Sequence, residues 1–163
     1  MSIVKNPVSL VSTFLWIGFV GAISFMEAWL KFRAEGITLP LGLGIGRLVF
    51  DALNKVEWVL AIAILLNILL NIRMIVVRKS IWFFIPLILL IAQSLWVLPS
   101  LDVRAVQIIQ GQIPEASNLH FYYVAMEVVK ITCLFVYGIS LFTLEKKRGI
   151  ETLGQDNRAK ELD

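Results

Sequence analysis

The residues best equipped for chemistry in this chain sit in an apolar setting. His120, Tyr123, Glu127 and Lys130 follow at steps of three, four and three, which places all four on one face of a helix. At 1.5 Å per residue, Lys130 lies about 15 Å along from His120, near the middle of a membrane-spanning segment. A charge at such a depth costs about 2.5–3.5 kcal/mol on insertion scales, so it faces a bundle interior and takes a partner. Glu127, three residues away, is that partner for Lys130. Two readings follow. The pair is either a packing device or part of a proton, ion or ligand site, and burial of paired charges is weak evidence for stability alone. Elsewhere Glu27 and Lys31 stand at i,i+4 in the favourable order, with Lys31 placed to snorkel toward the interface. Glu57 opens another apolar segment that later offers Asn67 and Asn71, residue types that commonly hydrogen-bond between helices. Gln93 and Ser94 are the polar groups of a further segment.

The elements that position these residues follow from composition. The chain has 163 residues, 58% of them hydrophobic and only 17% charged, and its mean hydropathy is +0.81. A soluble domain is about 45–50% apolar and about 25% charged, and a core of this size cannot hide the excess. A soluble enzyme, a disordered chain and a disulfide scaffold are therefore excluded. One cysteine, Cys133, allows no internal disulfide, and one histidine rules out multi-histidine zinc or bis-histidine haem ligation within the chain. Four segments, about 8–30, 56–77, 81–98 and 120–144, are long and apolar enough to cross a bilayer, and apolar residues run all round each. Lys5 before the first apolar run resembles a signal peptide, but the run continues through Trp29 and Leu30, too long for that reading. The expected fold is all-α, an integral membrane up-down four-helix bundle over residues 1–144.

Lys and Arg set the orientation. Lys5, Arg73, Arg78, Lys79, Lys146, Lys147, Arg148, Arg158 and Lys160 fall on the side of the termini, against Lys31, Arg33, Arg47, Lys55 and Arg104 on the other, with Lys130 inside a span. Nine against five predicts both termini in the cytoplasm and the protein in the inner (plasma) membrane. Trp29, Trp58, Trp96 and Tyr122 near the outer ends and Trp82 near the inner end suit the interfaces, and Gly18 with Ala22 allows close helix approach.

Residues 32–55 form a long first outer loop. Glu35-Gly36 and Leu39-Pro40 read as helix breakers, followed by a short helical stretch that lies at the interface or runs into the second span. Gly42, Gly44 and Gly46 alternate without a preceding strand, which is not a dinucleotide fingerprint. After Pro99, Ser100 either caps a new helix ending at Gly111 or lies within a longer third span, and Ser117 or Asn118 caps the fourth. The tail, 145–163, is charged and free of aromatic residues. It is expected to be disordered in the cytoplasm, with Lys146-Lys147-Arg148 against anionic lipid.

Alternating helix direction brings Glu27, Lys31, Glu57, Gln93, His120, Tyr123, Glu127 and Lys130 into the outer half, where they are the candidate lining of one connected polar cavity. Three carboxylates and a histidine suit a hard cation in type. The repeated Glu-x-x-His pairs of di-iron bundles are missing, so neither a metal nor a cofactor is expected.

Gly18 and Gly21, the run Gly46-Arg47-Leu48-Val49-Phe50 leading to Asn54, and Asn118-Leu119-His120 give the chain a layout that resembles the transmembrane protein 205-like group and its bacterial relatives. Those are small four-span membrane proteins of unknown function. The resemblance implies a helical membrane bundle and little about chemistry; Glu27, Glu127 and Lys130 have no counterpart in it. The function expected is the binding or movement of a small solute, ion or amphiphile through the outer-leaflet cavity, without catalysis. An accessory subunit of a membrane complex and a small membrane enzyme using Glu127 or Glu57 as acid/base are the alternatives. The lipid bilayer is the first partner, a second copy or a membrane protein the next; nucleic acid is not expected.

Overall fold

The computed structural model describes residues 6–70 and 77–160, and of 77–80 and 143–160 the backbone alone. Four long helices alternate in direction. Helix α1 covers Pro7–Arg33. It opens with Pro7 at its first position, where a missing N–H does no harm, and contains a π-helical turn at Gly21–Glu27. Helix α2 is Leu39–Leu70. Helix α3 joins α-helical Val77–Ala92, a π-helical turn Gln93–Val97 and α-helical Leu98–Ile109. Helix α4 is Leu119–Lys160. Helix α1 lies against α2 and α4, the first half of α3 lies on α4, and the outward half of α3 lies on α2. This is the expected all-α up-down bundle.

Two boundaries differ from expectation for identifiable reasons. The long first loop is absent: only residues 34–38 separate α1 from α2. Leu39-Pro40 starts a helix and does not break one, because Thr38 caps it. The Leu41 and Gly42 amides donate to Thr38 Oγ1 (3.4 Å) and Thr38 O (2.9 Å), and proline is tolerated in a first turn. The third span continues past Pro99, the second of the two expected alternatives, and Ser100 donates back to Trp96 O at 2.8 Å within the helix. It ends where expected. Gly111 takes φ +80°, the Gln112 amide donates to Gln107 O and the Gly111 amide to Ile108 O, which closes the carbonyl end. Helix α4, capped by Ser117 Oγ on the Leu119 amide at 3.1 Å, runs through most of the segment expected to be disordered. Leu144-Glu145-Lys146-Lys147-Arg148 are strong helix formers with no proline to stop them.

The interior is a column of Trp16 and Val20, Leu53, Ala61, Ile64 and Ile68, Phe83 and Leu90, and Leu134 and Tyr137, all at most 6% exposed. Outside it, only 28–33% of the most apolar stretch of each long helix is buried, and Leu48, Leu70, Leu95 and Phe121 expose 70–84% of their surface. Water does not tolerate an apolar surface of that extent. The chain is a multi-pass membrane protein. Asn71 and the nine basic residues on the side of the termini, from Lys5 to Lys160, lie outside the described residues or among those described by backbone alone.

Candidate functional site

The π-helical turns position the polar groups. Such a turn inserts one extra residue, widens the helix and is frequent at functional sites. The turn in α1 contains Ser24 and Glu27; the turn in α3 begins with Gln93 and Ser94. Ser24 from the first turn reaches Tyr123 of α4, and Gln93 from the second reaches Glu127, one helical turn further along α4.

Gln93 belongs to a buried ionic cluster. Lys130 Nζ is 2.6 Å from Glu57 Oε1 and 3.1 Å from Glu127 Oε1. Trp16 Nε1–H donates to Glu57 Oε1 at 2.7 Å and Gln93 Nε2–H to Glu127 Oε1 at 3.0 Å. Each helix thus contributes: Trp16 from α1, Glu57 from α2, Gln93 from α3, Glu127 and Lys130 from α4. The two carboxylates, Lys130 and Gln93 are at most 2% exposed. Two oxygens in this cluster, Gln93 Oε1 and Glu127 Oε2, are buried without a hydrogen-bond partner.

A second layer seals the cluster from above. Ser94 Oγ accepts from Asn54 Nδ2 at 2.8 Å and Trp58 Nε1 at 3.0 Å while donating to Leu90 O at 2.8 Å, so α2 and α3 are stitched at this hydroxyl. The Tyr123 and Ser24 hydroxyls share a hydrogen bond at 3.2 Å between α4 and α1.

Above this layer, at the end carrying the 34–38 and 110–118 connections, opens a cavity of about 400 Å³. Its apolar wall includes Phe32, Leu43, Phe50, Leu98 and Ala105; its polar groups include Lys31, Arg47, Asn54, Asp102, His120 and Tyr123. Arg47 grips Asp102 through both guanidinium arms, joining α2 to α3 at the rim. Lys31 Nζ is 3.1 Å from Glu27 Oε2 and 5.5 Å from the centre of each of the Phe32 and Phe50 rings. The glycine run of α2 explains this approach. A Cβ on Gly42 would enter the Phe32 ring and one on Gly46 would come within 3.0 Å of Lys31 Nζ, whereas nothing lies within 4 Å of a Cβ on Gly44.

The eight candidate residues therefore divide. Glu57, Gln93, Glu127 and Lys130 meet in the buried cluster. Lys31, His120 and Tyr123 line the cavity, and Glu27 stands behind Lys31 as its ion-pair partner. One connected cavity holding all of them does not form, because the Ser94 and Tyr123 layer separates the two levels. Trp16, Asn54, Ser94, Arg47 and Asp102 join the site though they were not singled out for it. Their only signal is a polar or hydrogen-bonding group facing inward, and its partner lies on another helix. Among the described residues no group of three or more His, Cys, Asp or Glu side chains stands where it could hold a metal ion. No family model matches this chain, and no curated protein or solved structure matches it, so the resemblance to the transmembrane protein 205-like group rests on the short motifs quoted for it.

Proposed function

We propose that this protein binds a small amphiphile without net charge in its loop-end cavity, facing the non-cytoplasmic side of the plasma membrane. The observation that carries the reading is the cavity itself. At about 400 Å³ it falls in the range of small-molecule sites, about 300–1,000 Å³. It has an apolar wall at Phe32, Phe50 and Leu98 opposite a polar one. The charges that line it cancel: Lys31 and Arg47 against Asp51 and Asp102. A guest of either net charge would leave that balance, while a neutral or zwitterionic head meets donors and acceptors of both kinds.

Depth supports an amphiphile over a freely soluble molecule. About 20 residues cross the hydrocarbon layer, so a span starting at Pro7 reaches the interface near Glu27, the turn before Lys31 and Phe32. The cavity thus stands at headgroup depth, with Phe50 and Leu98 in its apolar wall. The Lys/Arg distribution favours this end on the outside. Acid–base catalysis by Glu57 or Glu127 is disfavoured, since a general base must reach its substrate within hydrogen-bond distance and neither residue lines the cavity.

Native mass spectrometry of the detergent-solubilised protein, followed by extraction of what it carries, tests this. The wild type should retain a neutral or zwitterionic amphiphile at one copy per chain, and L98W, which fills the apolar wall, should lose it while remaining folded. Equal retention by folded L98W, or no retained amphiphile in the wild type, overturns the reading.

A further inference from the structure

Glu57 and Glu127 share a single ammonium, Lys130, where no water reaches. With both carboxylates ionised the cluster carries one uncompensated negative charge. The groups facing it from each helix are Trp16 and Ser24 on α1, Gln93 on α3 and Tyr123 on α4. None of these is cationic, and a lone buried charge is among the least tolerated features of a protein interior.

The two orphan oxygens show where the balance lies. Gln93 Oε1 and Glu127 Oε2 have no partner, yet they belong to side chains already joined by Gln93 Nε2–H donating to Glu127 Oε1 at 3.0 Å. Buried polar atoms are paired in roughly nine cases in ten or more. An amide and a carboxylic acid are complementary: the amide N–H donates to one acid oxygen, and the acid O–H donates to the amide oxygen. One hydrogen on Glu127 Oε2 would satisfy both orphans and bring the cluster to zero charge.

We propose that this cluster is a binding site for one exchangeable proton, held on Glu127 Oε2 and donated to Gln93 Oε1. Uptake forms one O–H bond on the Glu127 carboxylate, with the proton drawn from water, and nothing is oxidised or reduced. A divalent metal cation would overshoot the balance, and no trio of His, Cys, Asp or Glu side chains that could hold one converges among the described residues. The path is short. Tyr123 lines the cavity above, and its hydroxyl stands beside Glu127 and bonds Ser24, so one hydroxyl links cavity water to the site. The site does not depend on what occupies the cavity.

Infrared spectroscopy of the full chain in lipid at neutral pH reads the proton directly, through the carbonyl stretch of a buried carboxylic acid and its shift in heavy water. The wild type should show one such band. E57Q should lose it, because Lys130 and an ionised Glu127 then balance without a proton. Q93L should keep the band but move it to higher frequency, because the acid O–H loses its acceptor. W16F, which touches only Glu57, should leave it in place. Y123F should keep the band and slow its exchange with heavy water. Absence of the band in the wild type, or its survival in E57Q, overturns the site. A band that moves in W16F and not in Q93L puts the proton on Glu57 and overturns the assignment. Q93L and W16F change no charge, so the assignment stays testable if E57Q does not fold.

Discussion

Replacing Lys130 by methionine removes the only cation from a cluster that holds two carboxylates and leaves the shape of the side chain nearly intact. With Nζ at 2.6 Å from Glu57 Oε1, the gross attraction to that ionised carboxylate is roughly 6 kcal/mol at an effective dielectric of about 20, while Glu127, 3.1 Å away and holding the proton, adds little. Desolvation of all three groups offsets most of this, so the intact cluster adds little net stability. The loss on breaking it is larger, about 3–5 kcal/mol, because the buried Glu57 carboxylate is left without its counter-charge. Lys130 and Glu127 are fully buried and Glu57 is 2% exposed, so water does not screen that loss. For a chain of this size about 2–4 °C accompanies each kcal/mol, and K130M should unfold about 6–20 °C below the wild type in detergent. The triple variant E57Q/K130M/E127Q keeps the acceptors for Trp16 and Gln93 and removes every charge, and should recover most of the loss. E57Q alone should be mild, since Lys130 keeps Glu127. A triple variant no more stable than K130M, or a thermodynamic cycle with no coupling between Lys130 and the two carboxylates, would refute the reasoning.

Three further outcomes follow from particular contacts. S94A strips the acceptor from the Asn54 and Trp58 donors and should cost about 1–3 kcal/mol per donor left unpaired, read by thermal unfolding; an unchanged midpoint would show that the layer between cluster and cavity does not form. G42V pushes a side chain into the Phe32 ring and should destabilise by about 1–3 kcal/mol, while G44A, with open space around it, should be neutral or gain up to about 1 kcal/mol; the same melting assay comparing the two checks the close approach of α1 to α2. G111A should cost about 0.5–1 kcal/mol or more, because its φ of +80° suits glycine, and a stabilised G111A would contradict the helix end described here.

The architecture was legible because it depends on local properties. Four apolar runs, the i,i+3 spacing of Glu127 and Lys130, the i,i+4 spacing of Glu27 and Lys31 and the Gly111 stop are all readable within one helix. The misread first loop shows the limit of local rules: Leu39-Pro40 is a break or a start depending on whether Thr38 caps it. What could not be read is pairing between helices. Glu57 and Lys130 are 73 residues apart and Trp16 and Glu57 are 41 apart, and no spacing rule links such positions. The π-helical turns matter as much. Each inserts a residue into its helix, and Gln93, at the start of the second, bonds Glu127 across helices. Depth estimates placed His120 with Glu127, yet seven residues separate them, about 10 Å along the helix, which is the distance between rim and buried cluster.

The most direct test of the amphiphile-binding account is an experimental structure of the protein in lipid nanodiscs, with the density in the loop-end cavity inspected. The account predicts an elongated guest lying along Phe32, Phe50 and Leu98 with its polar end among Lys31, Arg47 and His120. A cavity that is closed, or filled by water alone, would contradict it.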